Sequence, residues 1–202
     1  MQTRAFVCND TIGRENAYKR ASNVDSSVTL QCRHRSDKMP KKYVIDDKRY
    51  VVVKKDEVCM LEDGSNKLAT FNYSRFAWFT EQFEEIDNAV SKLIKGEADV
   101  KLFVHLGGAW HVSVTSGVWC VDVRKFYKAR DGSTKPTRMG FAIRLREWDR
   151  VKQIAAEVKK GNTKIAESQP CWTQSDHFNE QGAMMCSECN PYGNWFTNTS
   201  NA

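Results

Sequence analysis

The sequence predicts an α+β protein built from two tandem units, each an antiparallel sheet followed by one helix. Short β-branched runs separated by charged turn residues indicate the strands. Two stretches with apolar residues at spacings of three and four indicate the helices. The same order of elements occurs twice along the chain, which indicates a degenerate internal repeat. With 202 residues, 41% of them hydrophobic, the chain is long enough to bury a substantial core.

The first unit begins after a polar stretch, residues 1–40, that shows no clear period and is interpreted as an extension. Its predicted strands are residues 43–45, 49–53, 58–61 and 68–73. A helix follows, with Ser74 as a plausible N-cap and Gly96 as its C-terminal breaker. One stripe of that helix is apolar and predicts its buried face: Phe76, Phe79, Phe83, Ile86, Val90 and Leu93.

The second unit repeats this order. Its predicted strands are residues 103–106, 110–114, 118–127 and 137–143, with a hairpin at Asp131-Gly132. The helix that follows ends at residues 159–161, two lysines and a glycine, as helix C-termini prefer. Its apolar face is predicted to comprise Leu145, Trp148, Val151, Ile154, Ala155 and Val158. The strands of the two units match at an offset of about 60, and the segments around the helix starts match at about 70.

Positive charge is concentrated in the second unit. Residues 99–160 contain thirteen Lys and Arg against six acids, whereas residues 41–98 contain ten against eleven. Such an asymmetry indicates either a polyanionic partner for the second unit or a plain solvated basic face.

Cysteine usage and hydropathy point to an intracellular protein without a membrane span. Seven cysteines are an odd number, and Cys59 and Cys120 lie inside predicted strands, so reduced thiols are expected. The longest apolar runs are too short to cross a bilayer, and residues 1–20 lack the apolar core of a secretory signal.

The second unit contains a Lys-Pro-x-Arg-x-Gly hairpin at 135–140, followed by a strand and a helix that carries Trp148. Over residues 119–152, without a gap, this sequence resembles the C-terminal domain of the transcriptional coactivator Positive Cofactor 4 family. In the first unit, residues 81–93 look like the end of the family's helix, although the hairpin is missing.

The resemblance implies a curved four-stranded sheet with one C-terminal helix in each unit. The family acts as a homodimer with single-stranded DNA across its sheets. Residues 41–98 and 99–161 would therefore pair as an intramolecular pseudo-dimer with their helices in contact, and residues 162–202 form a separate tail. The implied function is that of a non-enzymatic transcription or replication cofactor, located in the nucleus or at a site of viral or organellar DNA metabolism. Its implied partners are single-stranded DNA, with RNA as the alternative, and proteins of transcription or replication.

Cations and aromatic rings at strand spacing are what sequence-independent binding of a single strand requires. Arg124 and Lys128 are predicted to share one strand face with Phe126 between them. Tyr127 occupies the position where the family usually has a stacking Trp. Three further cations surround the hairpin, and complete the predicted site: Arg130, Lys135 and Arg138. The alternative for these residues is a basic hairpin that is merely solvated at a sheet edge.

A second function fits the same fold: a structural or docking component of a ribonucleoprotein or virion. The short loop at 115–117, where the family has a longer one with an aromatic residue and lysines, favours this alternative. So do the acidic balance of the first unit and the aromatic residues of the tail. A phosphate-binding glycine loop, a nucleophile elbow and a His-Glu metal motif are all missing, so an enzyme is not predicted.

The tail contains a candidate zinc site. Cys186 and Cys189 have the two-residue separation that lets both thiolates reach one ion, and Cys171 and His177 complete a tetrahedral set. The alternative is a docking tail that buries its aromatic residues, which are Trp172, Phe178, Tyr192, Trp195 and Phe196.

Overall fold

Eight strands form two separate four-stranded antiparallel sheets in the computed structural model of the chain, which describes residues 40–65, 67–177 and 180–193. The first sheet contains β1 (Lys41–Val44), β2 (Arg49–Val53), β3 (Glu57–Glu62) and β4 (Leu68–Asn72), paired in chain order. The second contains β5 (Lys101–Gly107), β6 (Trp110–Thr115), β7 (Val118–Lys128) and β8 (Thr134–Arg144), again in chain order. The predicted α+β class, with two antiparallel sheets and helices, is confirmed.

Helices follow each sheet. After β4 come α1 (Tyr73–Glu81) and α2 (Phe83–Ile94); after β8 come α3 (Leu145–Gly161) and the short α4 (Thr163–Ala166). The tail has two 3₁₀ turns, Cys171–Thr173 and Ser175–His177, and α5 (Glu180–Met185). Among the described residues, no helix is long and apolar enough to cross a membrane. The extension predicted for 1–40, Pro40 excepted, lies outside the described residues, as do Phe178, Trp195 and Phe196.

The first helix differs from its prediction in two ways. Its N-cap is Asn72 and not Ser74, because the Asn72 side-chain oxygen accepts the backbone N–H of Arg75 at 2.7 Å. The predicted single helix is also interrupted at Gln82. Just before the break, the Thr80 hydroxyl donates to the carbonyl of Ala77 at 2.6 Å, a back-bond that bends helices.

The two units share one core. Strand alternation turns Val51 and Met60 of the first sheet, and Val112 and Val123 of the second, toward the helices, and all four belong to a single buried cluster. The helices of the two units meet around Trp148 of α3. Its ring contacts Phe79 of α1 and Phe83 of α2 edge-on, with ring centroids 6.2 and 5.1 Å away. Its indole N–H donates to Asp87 of α2 at 2.5 Å, and Lys152 bonds the same carboxylate at 2.9 Å.

Strand registers correct the predicted offsets of the repeat. The pairing of β1 with β2 and of β5 with β6 matches Arg49 to Trp110, an offset of 61. The helix N-caps match Asn72 to Arg144, an offset of 72 and not 70. The difference between these two offsets arises at the third and fourth strands of each unit. In the second unit these strands, β7 and β8, are longer and their pairing contains a bulge. Phe141 is therefore equivalent to Ala69.

A buried ion pair joins the two units. Arg49 on β2 is only 3% exposed, and its guanidinium bonds the Glu147 carboxylate and the Ala142 carbonyl of the second unit. The guanidinium also lies over the ring of Phe141, 4.1 Å from its centroid. Glu147 is equally buried and accepts the backbone N–H of Arg144 at 3.1 Å, so its side chain satisfies the N-cap amide at the start of α3. The pair thus links the first sheet to the start of the second unit's helix.

Removing one partner of this pair should be costly. We expect Arg49→Met to lower the free energy of unfolding by up to about 3–5 kcal/mol, because the buried Glu147 carboxylate then keeps only the exposed Arg144 as its cation. Adding Glu147→Leu should recover part of that loss, since no isolated charge then remains. The measurement is denaturant unfolding of both single variants and the double variant.

The matched control is the exposed pair Lys54–Glu57, whose charged atoms lie 2.6 Å apart. Lys54→Met should cost less than about 1 kcal/mol, because solvent screens the pair. Equal losses for Arg49→Met and Lys54→Met would contradict the role given to burial.

Candidate nucleic-acid face and Cys/His cluster

The second sheet has one face packed on helices and one face turned away from them, called here the outer face. Val104, Val112 and Val123 point to the core, so strand alternation puts their neighbours on the outer face. The outer face is lined by residues that the register places in adjacent rows: Phe103, His105, His111, Ser113, Asp122, Arg124 and Phe126.

Three rings form an aromatic cluster on the outer face. Phe103 and His111 stack with centroids 4.5 Å apart and ring planes 19° apart. Phe126 meets both edge-on, at 5.1 Å from Phe103 and 5.0 Å from His111. Phe103 is 48% exposed, so the ring offers an open surface on which a flat ligand can stack.

Arg124 lies beside this cluster, but much of its hydrogen-bonding capacity is already used. Nε and Nη2 bond the Asp122 carboxylate at 2.8 and 3.0 Å, and Nη1 donates to the Thr137 carbonyl at 3.0 Å. Gly140 makes this arrangement possible. A Cβ there would lie 3.0 Å from the Arg124 Cγ and 2.9 Å from the Val123 carbonyl oxygen. Arg124 therefore fixes the hairpin to the sheet.

The predicted hairpin cations surround a bulge in β8. Arg124 pairs with Gly140 while Phe126 pairs with Pro136, so three residues of β8 oppose Lys125 alone. Arg138 is in the middle of this bulge and is exposed. Among the described residues, none forms an ion pair with Lys128, Arg130 or Arg138.

The other two predicted residues are placed differently. Lys135 bonds Asp131 at 2.9 Å within the hairpin. Tyr127 is exposed and pairs in register with Lys135, and alternation puts it on the opposite side of β7 from Phe126. The structure thus groups Arg124 and Phe126 with Phe103 and His111, and it places Tyr127 apart from them.

The first sheet offers a different outer face. One cross-strand row there is aliphatic and aromatic and comprises Val44, Tyr50, Leu61 and Leu68. Lys42 lies over the Tyr50 ring, 3.7 Å from its centroid. Within the described residues, the cluster of stacked aromatic rings lies on the second sheet, whereas Tyr50 of the first sheet is covered by a lysine.

The Cys/His cluster of the tail can hold a metal ion. One ligand atom from each of Cys171, His177, Cys186 and Cys189 lies within 4.8 Å of all the others. The Cys171 sulfur is 3.4 Å from that of Cys189 and 3.6 Å from that of Cys186, and the Cys189 sulfur is 3.9 Å from His177 Nδ1. Tetrahedral bonds of about 2.3 Å to one ion require sulfur–sulfur separations of roughly 3.8 Å, so the donor set fits such an ion.

The surroundings shift the pKa values of the Cys171 and Cys186 thiols in opposite directions. Burial and the neighbouring thiols of Cys189 and Cys186 raise the pKa of Cys171 to about 12. At Cys186 burial acts in the same sense, but hydrogen bonds from the backbone amides of Cys189 and Glu188 outweigh it and lower the pKa. Backbone N–H groups directed at a sulfur stabilise its thiolate form, which is the form that binds metal.

Within the tail, α4 packs into the shared core through Ile165, and the Cys/His segment that follows contacts the body through Glu188 and Trp172. Glu188, between two of the cysteines, bonds Arg75 of α1 through both carboxylate oxygens at 2.9 Å. Trp172, next to Cys171, packs edge-on against Trp78 of α1, with ring centroids 5.4 Å apart. The ring of His105 is 6.4 Å from that of Trp172.

Sequence reasoning missed Phe103, His111 and Glu188. The first two could have been found, because strict alternation along the predicted strands 103–106 and 110–114 puts them on the face opposite the core valines. Glu188 carries no comparable signal, since its partner Arg75 lies more than a hundred residues away. Comparison with known protein families and with curated proteins gives no match to this chain.

Histidine protonation gives a test of the outer face. Burial, together with the charge of His105, lowers the pKa of His111 to about 4. An unfolded chain has a His pKa near 6.5, so as pH falls below that value the unfolded state binds a proton that the folded state does not. We expect the free energy of unfolding to drop by about 2 kcal/mol from this residue between pH 7 and pH 5.

The measurement is denaturant unfolding at both pH values for the wild type and His111→Phe. The substitution keeps an aromatic ring over Phe103 and removes the titrating group, so most of the difference between the two pH values should disappear. Burial also lowers the pKa of His105, which leaves a smaller residual pH dependence of the same sign. An unchanged pH dependence in His111→Phe would contradict the assignment.

Proposed function

We propose that the protein binds single-stranded nucleic acid, without enzymatic chemistry, on the outer face of the second sheet. The observation that carries this proposal is the aromatic cluster of Phe103, His111 and Phe126 next to a hairpin with three cations that form no ion pair with any described residue. Bases of any sequence can stack on aromatic rings, and cations along the path bind phosphates. The role is that of a transcription or replication cofactor, with single-stranded DNA as the first ligand to test and RNA as the second.

The role of each residue on this face follows from its exposure and from the hydrogen bonds and ion pairs that its side chain already makes. Lys128, Arg130 and Arg138 are the phosphate-binding residues, because their charges are not neutralised by described residues. Arg124 is a positioning residue that holds the bulge against the sheet. Phe103 provides the stacking surface, because its ring is the most exposed of the cluster. Tyr127 is a peripheral contact near the end of the strand.

The pairing of the two units as an intramolecular pseudo-dimer is part of the proposal, as is kinship with the Positive Cofactor 4 family. Support comes from the contact between the helices around Trp148 and from the ion pair of Arg49 with Glu147. In this arrangement the first unit stabilises the second and contributes few cations to the ligand. The proposed location is the nucleus or a site of viral or organellar DNA metabolism.

One observation favours the alternative function, a structural or docking component of a ribonucleoprotein or virion. The outer face of the first sheet is aliphatic, with Val44 55% exposed, and such surface is more typical of protein contacts than of phosphate binding. The binding measurements below decide between the two functions.

Binding to a fluorescent single-stranded oligonucleotide should depend steeply on salt. Alanine at Lys128, Arg130 or Arg138 should each weaken binding and flatten the log–log salt slope by about 0.7 per lost phosphate contact. Phe103→Ala should cost roughly 1–3 kcal/mol of binding free energy with an unchanged slope, because stacking releases no counterions. Anisotropy titrations between low and moderate salt measure both quantities.

Lys48→Ala and Lys67→Ala in the first unit are the matched controls and should have little effect. Loss of binding in these two variants, with the second-unit variants unaffected, would assign the site to the wrong unit. No binding even at low salt would favour the structural alternative.

We further propose that the ion held by the Cys/His cluster is zinc. Three sulfurs and one imidazole nitrogen at near-tetrahedral separations match the ligands and geometry of structural zinc sites. The role is structural, since all four positions are filled by protein ligands.

Metal analysis of protein purified under reducing conditions should find about one zinc per chain. Cys186→Ser should lose most of it, whereas Cys120→Ser, which changes a cysteine on β7 outside the cluster, should keep it. Equal zinc content in wild type and Cys186→Ser would contradict the proposal. A disulfide between Cys171 and Cys189 in place of the ion would contradict it as well.

A further inference from the structure

Two contacts of the Cys/His segment with the body lie beside the candidate metal ligands. Trp172 directly follows Cys171, and Glu188 lies between Cys186 and Cys189. A metal ion bound by these cysteines would tie the two contact segments to each other. Without the ion, the hydrogen bonds between the 3₁₀ turn at Cys171–Thr173 and the loop around Glu188 are, among the described residues, weak ones between thiols.

Glu188 occupies a fitted site at the turn between β5 and β6. Its backbone carbonyl accepts the N–H of Gly108 at 2.9 Å, and its side chain accepts from Asn72 at 3.3 Å as well as from Arg75. Gly107 and Gly108 leave the space for it. A Cβ at Gly107 would lie 2.6 Å from Glu188 Oε2, and both glycines have positive φ.

The charge of Glu188 also compensates an unfavourable cation at the start of helix α1. Arg75 lies in the first turn of that helix, where the helix dipole disfavours a cation, and its side chain is largely buried. A carboxylate from outside the helix compensates for both the dipole and the desolvation of the guanidinium. The equivalent position of α3 is Glu147, which is paired with Arg49.

We propose that the tail is a metal-dependent latch, in which zinc binding docks Glu188 onto Arg75 and the β5–β6 turn, and Trp172 onto Trp78. This inference rests on the proposed zinc site but not on nucleic-acid binding. Glu188 is a positioning residue and not a ligand, because its carboxylate is engaged by Arg75. The latch connects metal occupancy to the start of α1 and to the end of β5 that carries His105 on the outer face.

The test is hydrogen exchange of the Gly108 amide, with thermal unfolding as a second readout, on the full chain with zinc and after removal of zinc by a strong chelator. Zinc removal should speed Gly108 exchange by about tenfold or more, because the bond to the Glu188 carbonyl is lost. The melting temperature should fall by about 3–6 °C.

Glu188→Ala and Arg75→Gln separate the latch from the metal. Both should bind as much zinc as the wild type, show fast Gly108 exchange with or without zinc, and respond less to the chelator. Glu180→Ala, which removes another carboxylate of the tail, is the matched control and should behave as the wild type.

Two results would overturn the latch alone: zinc uptake by the wild type with no change at Gly108, or a Glu188→Ala variant that responds to zinc as the wild type does. A protein that takes up no zinc overturns both the metal site and the latch. Neither result bears on the aromatic face, which the oligonucleotide titrations test separately.

Discussion

The buried ion pair between Arg49 and Glu147 is the constraint on which the arrangement of the two units depends. A charge that is 3% exposed is costly unless its partner stays in place, so the pair favours the observed position of the first sheet against the start of α3. Trp148, one residue further along α3, lies against Phe79 and Phe83 of the other unit. The polar pair and the rings together form this contact between the units.

Because the core lies between the sheets and the helices, each sheet turns one face away from the helices, and the two outer faces have diverged. The second has aromatic rings with cations at one end; the first has an aliphatic row and a single lysine over Tyr50. Because their side chains differ, the two outer faces suit different partners. Phosphates require cations that are not already paired, whereas an aliphatic surface favours contact with protein.

The elements could be predicted from local patterns, but the contacts between them could not. Period-two and period-3.6 patterns located all eight strands and the stripes of the helices, because burial of one face dictates both. The cations of the hairpin and the four residues of the Cys/His cluster were located from composition, spacing and the family resemblance, and what they bind stays a prediction. The contacts of Arg49 and Glu188 could not be predicted, since in a sequence a charged residue whose partner is far away looks like any surface residue. The N-cap at Asn72 was missed because Ser74 and Asn72 are both acceptable caps, and only the bond to Arg75 distinguishes them.

The starts of α1 and α3 are equivalent in the two units, yet they carry different charges, which two identical subunits could not do. Arg75 and Glu147 occupy matching positions in α1 and α3, and they carry opposite charges. Each pairs with a group from another part of the chain: Glu147 with Arg49 of the first sheet, in addition to its own N-cap Arg144, and Arg75 with Glu188 of the tail. In a homodimer any such solution appears twice, so both helices would need the same partner. If the units stand for two subunits, as proposed, their covalent linkage has allowed the two helix starts to differ. The start of α3 pairs with a residue of the first sheet, whereas the start of α1 depends on the tail and, through it, on the Cys/His cluster.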